Sequence, residues 1–168
     1  MSGTTVSLHL RHLTEADRDR IEAITRSTGL FREKEIPVAL EVFDEAIGGA
    51  PGNTYTVLGA AFEDRLAGWI CWGPTPCTAG TYDLYWMAVD PALQGTGIGT
   101  ALLGEMERRL ERIARLIIIE TAGRPEYAAT RAFYQARGYS AVSRIPDFYA
   151  PGDDQVVFVK SVSGNRTA

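Results

Sequence analysis

Residues 94–100 form a glycine-rich segment, and the types and spacing of its residues suit a loop that binds a phosphate group. The segment reads QGTGIGT and lies between a β-rich run and the start of an amphipathic helix. The first turn of a helix presents N–H groups that lack intrahelical partners, together with the positive end of the helix dipole. Glycine lets an anionic group approach those amides, because it has no Cβ in the way. We therefore predict a phosphate-bearing ligand at this segment, with a purely structural turn as the alternative.

Three phosphate-binding motifs compete for the segment, and their spacings separate them. A Walker loop needs Gly, four residues, then Gly-Lys and Ser or Thr, and no such string occurs in the chain. A dinucleotide-binding fingerprint needs Gly or Ala where Thr100 stands, and its glycines lie directly at the strand end. The third pattern is Gln or Arg, two residues, Gly, one residue, then Gly or Ala, and it is met by Gln94, Gly97 and Gly99. A nucleotide-dependent dehydrogenase, for which Glu120 imitates the distal acid, remains a competing hypothesis.

The elements that must position this segment follow from the hydrophobic periodicity. Seven β-rich runs predict strands at 6–11, 54–62, 66–72, 82–89, 116–120, 139–145 and 156–162. Four segments with apolar residues three or four apart predict helices, the first ending near Ser27 and the others at 33–47, 98–113 and 125–138. The order βααβββαβαββ predicts one mixed α+β domain over residues 1–168, with a core at about 6–162 and a frayed tail at 163–168.

Composition excludes several classes of protein. The formal net charge is -4 and the sequence pI is about 5.2, whereas a nucleic-acid-binding surface needs clustered Lys and Arg. Cys71 and Cys77 are too few for a zinc site or a secreted disulfide framework, so we expect free thiols and no metal. The chain has neither the apolar region of a signal peptide nor an apolar run as long as a membrane span. We expect a cytoplasmic protein without nucleic-acid or membrane partners.

Two stretches of the sequence resemble the motifs of one family. The string VDPALQGTGIGTALL resembles motif A of the GNAT superfamily of N-acetyltransferases, and RAFYQARGY at 131–139 resembles the aromatic ending of the second motif of that family. The predicted element order also matches the family fold, so the likeness covers nearly the whole chain. It implies an α+β fold with a single mixed, mostly antiparallel central sheet and helices on both faces. It further implies a splay between the strands at 81–89 and 115–121.

The resemblance implies acetyl-CoA as the cosubstrate and assigns residues to bind it. The pantetheine arm would lie in the splay and hydrogen-bond to the backbone of Met87, Ala88 and Val89 in the manner of an added strand. The pyrophosphate would be held by the glycine-rich segment, whose members are Gln94, Gly95, Thr96, Gly97, Ile98, Gly99 and Thr100. Arg131 is a further candidate contact to phosphate, and a solvated helix arginine is the alternative.

Transfer of an acetyl group to an amine requires a neutral nucleophile, a stabilised oxyanion and a proton for the departing thiolate. Tyr134 occupies the position at which many family members carry a catalytic tyrosine, and we expect it to donate that proton. Its alternative role is that of a core aromatic, but Phe133 aligns with Ala129 and Ala136 and is the better core candidate. Asp83, on the strand before the glycine-rich segment, is the candidate general base, with a chain of water molecules as the alternative.

Acceptor sites in the family are built from the loop between the first two helices, the central strand and the loop that joins the last two strands. In this chain the two loops are predicted at 29–35 and 146–154. Their acids and aromatics suit a cationic, partly apolar amine, although ordinary loops share that composition. The predicted acceptor contacts are Phe31, Glu35, Tyr85 and Tyr149.

The chain departs from the family pattern at Tyr127, where an Asn is usual, so one family contact to the cofactor is not carried over. Neither Cys71 nor Cys77 has a His and an acid in a recognisable pattern, so we expect direct attack by the amine in a ternary complex.

The prediction is an N-acetyltransferase acting on a primary amine of a small molecule or peptide. A non-catalytic acyl-CoA sensor or regulatory module is the alternative. The identity of the amine, the acyl-chain length and the oligomeric state, a homodimer included, stay open.

Overall fold

The computed structural model describes residues 7–162, so the predicted strand start at Val6 and the tail at 163–168 lie outside the described residues. Within them the predicted order of seven strands and four helices is confirmed. The strands are β1 Leu8–Arg11, β2 Thr56–Phe62, β3 Arg65–Pro74, β4 Thr81–Val89, β5 Leu116–Ala122, β6 Ser140–Ala150 and β7 Asp153–Ser161. The helices are α1 Arg18–Ser27, α2 Glu35–Gly48, α3 Ile98–Leu110 and α4 Ala128–Gln135.

The strands form one seven-stranded sheet in the order β1-β2-β3-β4-β5-β7-β6. The pairs β1-β2, β2-β3, β5-β7 and β6-β7 are antiparallel, whereas β4 and β5 run parallel. The parallel register runs from Thr81↔Leu116 to Leu84↔Ile119, over the first four residues of each strand. A parallel pair needs a long crossover, and α3 lies in that crossover between β4 and β5. The predicted mixed, mostly antiparallel sheet is therefore confirmed.

The chain divides into two compact units, of which the first contains the chain up to Trp72 together with Trp86–Arg108. In this unit, α1 and α2 bury their apolar faces against Trp69 and Cys71 of β3. The indole N–H of Trp69 donates to Oγ1 of Thr25 on α1 at 3.0 Å. Gly68 faces α3 instead, because a Cβ at Gly68 would lie 2.9 Å from the side chain of Ile98. Helices therefore cover both faces of β3 in this unit, as predicted.

The second unit contains Gly73–Tyr85 and the chain from Arg109 onward. Its strands β5 and β7 pair over seven residues, from Leu116↔Ser161 to Ala122↔Gln155. Helix α4 packs on this sheet through Tyr134, whose ring lies 6.2 Å from that of Phe158 on β7. The prediction that residues 125–138 form one helix needs a correction, since Pro125–Tyr127 form a 3-10 turn before α4. None of the helices within residues 7–162 is long and apolar enough to span a membrane.

The connection between the last two strands differs most from the prediction. Residues 146–154 were expected to be a loop, but β6 continues to Ala150, which pairs with Asp153. The turn is therefore short, and Gly152 adopts a φ of 79° in it. Register shifts between Ile145 and Ala150 show that this part of β6 is bulged, which fits a proline that cannot donate a ladder hydrogen bond. Alternating periodicity does not predict a bulged strand.

Candidate active site

The glycine-rich segment begins at a capped turn that leaves β4. Asp90 precedes a 3-10 turn at Pro91–Leu93, and its Oδ1 accepts a hydrogen bond of 3.0 Å from the N–H of Ala92. Oγ1 of Thr96 then donates to the carbonyl oxygen of Leu93 at 2.6 Å. These bonds use local polar groups to fix the path of the chain between β4 and α3.

The glycines of the segment have the backbone geometry that a phosphate site requires. Gly95 and Gly97 adopt φ values of 79° and 90°, a region that side-chain-bearing residues rarely enter. A Cβ added at either position would meet no atom within 4 Å, so the glycines are selected by backbone conformation and not by crowding. The surface above them is open, as the approach of a ligand to backbone amides requires.

The first turn of α3 provides the amides. The N–H of Ala101 donates to the carbonyl oxygen of Gly97 at 2.9 Å, which starts the helical ladder after Ile98 and Gly99. This turn carries no acidic residue that would repel an anion. Ile98 is buried against the sheet, so it can offer a ligand its backbone N–H but not its side chain. The segment fits a pyrophosphate group.

The other predicted members of this site are distributed as follows. Gln94, Thr96 and Thr100 are all exposed, and Thr100 lies on the first turn of α3. On β4, Ala88 is buried and its neighbours Met87 and Val89 are half-buried. Their predicted contact with the pantetheine arm uses the backbone, for which the identity of the side chain matters little.

Tyr134 is one of the most buried aromatics of the second unit. Its side chain is 3% exposed, and its ring packs against those of Phe133, Tyr139 and Phe158. Phe133 is only half-buried and lies under the guanidinium of Arg137, at 3.5 Å from ring centroid to Cζ. The prediction that Phe133 is the better core residue is therefore wrong. Helical spacing does not rank the two rings, whereas in the structure Tyr134 packs against Tyr139 and Phe158 and is the more deeply buried.

Burial controls the acidity of this tyrosine. It removes water from the phenol and so raises the pKa of Tyr134 well above its ordinary value, and the nearby Tyr127 adds to that shift. The phenol therefore stays protonated across the range in which an enzyme works. A protonated phenol next to a departing thiolate can donate a hydrogen bond or a proton to it.

Arg131, the candidate phosphate contact, makes backbone hydrogen bonds near the start of α4. Its Nη1 donates to the carbonyl oxygens of Ala122 at 2.7 Å and Arg124 at 3.0 Å. The side chain thus ties α4 to the end of β5. Sequence reasoning missed this structural use, because both acceptors are main-chain atoms and leave no trace in the residue types.

Asp83 lies on β4 among groups that orient its carboxylate. Oγ1 of Thr75 donates to Oδ2 of Asp83 at 2.6 Å, and the hydroxyl of Tyr85 approaches the same oxygen at 3.4 Å. Thr75 was not predicted to take part. It follows the end of β3, and the N–H of Thr75 donates to the carbonyl oxygen of Thr81, which brings it beside the start of β4.

A second carboxylate, Glu120 on β5, is a candidate functional residue that sequence reasoning assigned only to the competing dinucleotide motif. Partial burial raises the pKa of Glu120, the negative charge of Asp83 raises it further, and a hydrogen bond from Gln155 opposes both. Glu120 is nevertheless an exposed residue, so solvent screens these interactions. The parallel register pairs Asp83 with Ile118, which places Glu120 on the same face two residues further along.

Two predicted acceptor contacts lie in the first unit. Phe31, between α1 and α2, packs on Trp86 of β4 with ring centroids 5.2 Å apart and an interplanar angle of 53°. Glu35 lies in the first turn of α2, where its Oε2 accepts a 2.6 Å hydrogen bond from the N–H of Arg32. That bond fixes the loop and explains why α2 begins at residue 35 and not at 33 as predicted.

The other two predicted acceptor contacts lie in the second unit. Tyr85 is exposed beside Asp83 on β4, to which its hydroxyl points. Tyr149 is not a loop residue, as expected, but a half-buried member of β6 whose ring is 4.9 Å from that of the exposed Phe148. The structure thus groups Tyr85 with Asp83, Thr75 and Glu120.

The two cysteines form no disulfide. Cys71 is buried on β3, and burial raises the pKa of its thiol to about 12. Cys77 is exposed in the loop after β3. Across residues 7–162 no three His, Cys, Asp or Glu side chains are grouped as a metal site would need.

Comparison with known proteins places this geometry in a family context. A family model described as the acetyltransferase (GNAT) domain matches residues 53–141. A curated relative, an uncharacterized N-acetyltransferase of Methanocaldococcus jannaschii, is 28% identical over 141 residues, which are 77% of this chain and 88% of the relative.

Solved structures extend the likeness to nearly the whole chain. A protein from Desulfovibrio desulfuricans assigned to the GNAT family of acetyltransferases is 38% identical, with a TM-score of 0.88 over 94% of this chain and 100% of that one. A Salmonella typhimurium protein assigned as an acetyltransferase, solved with its cofactor acetyl-CoA, has a TM-score of 0.73 at 17% identity over 95% of this chain and 96% of that one. At the latter identity the likeness concerns the fold.

Proposed function

The chain belongs to the GNAT family of acetyltransferases and is accordingly an N-acetyltransferase that uses acetyl-CoA as its cosubstrate, and from this premise we propose how its residues act. The acceptor is a primary amine of a small molecule or a peptide. The amine attacks acetyl-CoA directly in a ternary complex. The single observation that carries the proposal is the pair of left-handed glycines, Gly95 and Gly97, in front of α3.

The donor half of the site is the better supported half. The amides of residues 95–100 hold the pyrophosphate, with the helix dipole of α3 behind them. The pantetheine arm hydrogen-bonds to the backbone of Met87, Ala88 and Val89, in a splay between 81–89 and 115–121. Arg131 is a weaker candidate for a phosphate contact, because its Nη1 already donates to two backbone carbonyls.

The reaction forms one bond and breaks one. The amine nitrogen attacks the thioester carbonyl carbon, a C–N bond forms, and the tetrahedral oxyanion collapses with loss of the sulfur as a thiolate. Tyr134 donates a proton to that thiolate. The tyrosinate that remains is strongly basic, because burial raises the pKa of the phenol, and it is reprotonated from solvent as the products leave. The proton lost by the amine goes to a carboxylate or to water.

Asp83 and Glu120 are the candidates for the proton acceptor. Asp83 is held by Thr75 and Tyr85, and its charge raises the pKa of Glu120. A base is most effective when its pKa approaches the working pH, which favours Glu120 as the member that takes up the proton. A chain of water molecules between the amine and either carboxylate is the alternative route.

The acceptor is a cationic, partly apolar amine. In the second unit, Asp83 and Glu120 would attract the ammonium form, and the ring of Tyr85 would contact its apolar part and its charge. Phe31, Glu35 and Tyr149 are the other proposed acceptor contacts. Phe31 is braced by Trp86, so its ring offers a surface with little conformational freedom to lose.

A non-catalytic acyl-CoA sensor is the second candidate, and the burial of Tyr134 favours it, since a phenol with 3% exposure has little access to a thiolate. Tyr134→Phe distinguishes the two. An enzyme that uses the phenol keeps its affinity for CoA and loses turnover. A sensor shows no thiol release with any amine in either form.

A single domain over residues 1–168 agrees with one continuous sheet. A homodimer would bury the outer strand β6, where Val142, Ile145 and Phe148 are exposed. A cytoplasmic location agrees with free cysteines and with an acetyl-CoA-dependent reaction.

The function is tested by measuring CoA release from acetyl-CoA with a thiol reagent in the presence of a panel of amines. The panel contains polyamines, aminoglycosides, single amino acids and peptides with free N-termini. The proposal expects saturable thiol release with at least one of these amines, in proportion to acetylated product identified by mass spectrometry. Saturable CoA binding without product from any acceptor supports the sensor instead.

A further inference from the structure

The carboxylate of Asp90 lies at the exit of β4, immediately before the turn that leads to the glycine-rich segment. It is a buried polar group, with a side-chain exposure of 11%. Its Oδ1 accepts from the N–H of Ala92, and its Oδ2 accepts from Nη2 of Arg20 at 2.5 Å. Burial alone would raise the pKa of Asp90, but the bonds from Arg20 and Ala92 and the charges of Arg20 and Arg65 lower it overall. Asp90 is therefore ionised at neutral pH.

Arg20 connects this carboxylate to the sheet. Besides its bond to Asp90, the guanidinium donates through Nε to the carbonyl oxygen of Leu66 on β3 at 3.0 Å. The N–H of Asp90 donates to the carbonyl oxygen of the next residue, Ala67, at 2.8 Å. The planar fork of an arginine directs separate N–H groups at the two acceptors, a geometry that the single ammonium of a lysine does not reproduce. The beginning of the turn is thus fixed to residues 66 and 67.

The end of the segment is fixed to the following residue of the same strand. A Cβ at Gly68 would lie 2.9 Å from Cγ2 of Ile98 and 3.3 Å from Cδ1 of Leu102, so α3 packs directly on the backbone of β3. Only glycine permits that approach. Three consecutive residues of β3, 66–68, therefore hold Asp90 and Ile98. The stretch between these two residues contains Gly95 and Gly97, and both of its ends are at fixed positions.

We propose that Arg20 and Asp90 are positioning residues for acetyl-CoA: they fix the entry of the glycine-rich segment so that its amides are directed at the pyrophosphate before the ligand arrives. The inference rests on the proposed function, since it presumes that the segment binds pyrophosphate. Preorganised donors bind more tightly than mobile ones, because no ordering cost arises on binding. Neither residue contacts the ligand in this account, and both act through the backbone.

The first unit offers a matched control in a second ion pair, between Arg11 and Asp17. Arg11 donates to both carboxylate oxygens of Asp17, at 2.7 Å and 2.9 Å, and Asp17 caps the turn before α1. The side-chain exposures are 29% and 11% for Arg11 and Asp17, against 31% and 11% for Arg20 and Asp90. The two pairs are therefore equally buried, but the control pair has no bond to the glycine-rich segment.

The experiment measures the Kd of CoA by calorimetry, and the KM for acetyl-CoA and for the amine, in Asp90→Asn, Arg20→Met, Arg20→Lys and Asp17→Asn. Asp90→Asn keeps an acceptor for the N–H of Ala92 and loses the charge. We expect Asp90→Asn and Arg20→Met to raise the Kd of CoA and the KM for acetyl-CoA about 10-fold, with the KM for the amine unchanged. Arg20→Lys should give an intermediate value, and Asp17→Asn should stay within about 2-fold of wild type.

A second donor separates positioning from general loss of structure. With S-acetylpantetheine, which lacks the pyrophosphate, the Asp90 and Arg20 variants should come close to wild-type turnover, because the segment no longer contributes to binding. An equal rise of the CoA Kd in Asp90→Asn and Asp17→Asn would overturn the inference, as would a wild-type Kd in both Arg20 variants. If wild type itself does not bind CoA, the proposed function is wrong. This outcome is distinguishable from the two above, because in both of those wild type binds CoA.

Discussion

Oγ1 of Thr75 and Oδ2 of Asp83 lie 2.6 Å apart, in a hydrogen bond that joins the segment after β3 to the start of β4. The hydroxyl fixes one oxygen of the carboxylate and leaves the other for a ligand. The negative charge of this carboxylate helps to raise the pKa of Glu120 on β5. Asp83 and Glu120 are therefore the two groups in the candidate site that could accept the proton from the amine.

Replacement of Asp83 by Asn should lower kcat about 100-fold, because the amine loses either its base or the charge that tunes Glu120. The Kd of CoA should not change. Thr75→Val, which removes the hydrogen bond and keeps the carboxylate, should reduce kcat by a smaller factor, and steady-state kinetics with the best amine of the panel measures both. A kcat within 2-fold of wild type in Asp83→Asn would remove this residue from the mechanism.

Glu120 gives a prediction about pH. Its pKa is raised in the folded protein by partial burial and by the charge of Asp83, so the native state binds more protons than the unfolded state above about pH 4. The contribution of Glu120 to stability is therefore fully present below its unfolded pKa and is lost as pH rises through its folded pKa. Urea unfolding at several pH values should show a smaller loss of stability between pH 4 and pH 7 in Glu120→Gln than in wild type.

The same carboxylate can be followed directly by carbon-detected NMR. In Asp83→Asn the pKa of Glu120 should fall toward its ordinary value, because one of the two raising influences has been removed. An unchanged Glu120 titration in that variant would show that the two carboxylates do not interact.

Tyr134 can be tested against a tyrosine of equal burial. Tyr134 and Tyr139 are each 3% exposed, and their rings pack together at 5.9 Å. Tyr134→Phe should lower kcat about 100-fold while the Kd of CoA stays the same, because only the proton donor is lost. Tyr139→Phe should leave kcat near the wild-type value. Equal effects in the two variants would indicate a packing role for both hydroxyls.

The fold could be predicted from sequence because each element has a local signal. The apolar spacing of α3 and the continuous apolar run of β4 depend on neighbours within a few residues, and both elements are confirmed. The first and last residues of an element are harder to predict where a polar side chain determines them, as Glu35 does at the start of α2.

Long-range contacts were not predictable in the same way. Arg20 and Asp90 are 70 positions apart, and no periodicity links a charge on α1 to a carboxylate at the end of β4. The proximity of Glu120 to Asp83 depends on the parallel register, which composition does not determine. The greater burial of Tyr134 relative to Phe133 likewise depends on how α4 lies over Phe158.

The cysteines distinguish direct transfer from an acyl-enzyme route. Cys71 is buried and its pKa is raised to about 12, so it has almost no thiolate at neutral pH. Native protein should therefore react with one equivalent of a thiol reagent, at the exposed Cys77. The double variant Cys71→Ala with Cys77→Ser should keep its activity, and incubation with acetyl-CoA should leave the protein mass unchanged. A mass gain of one acetyl group on either cysteine would contradict direct attack.

We propose that Gly95 and Gly97 form the pyrophosphate site. A comparison of Gly97 with a control glycine of similar backbone conformation, Gly52, tests this proposal. Gly97 has a φ of 90° and Gly52, in the turn before β2, has a φ of 87°, and neither has an atom within 4 Å of an added Cβ. Alanine at either position forces a side-chain-bearing residue into a disfavoured region, at a similar cost of about 1–2 kcal/mol. The two variants should therefore lose similar stability.

Calorimetric titration of CoA into wild type, Gly97→Ala and Gly52→Ala is the most direct measurement. We expect saturable 1:1 binding to wild type, an unchanged Kd in Gly52→Ala, and a Kd raised about 10-fold or more in Gly97→Ala. Equal affinity of Gly97→Ala and wild type, or no binding to wild type at millimolar CoA, would contradict this proposal.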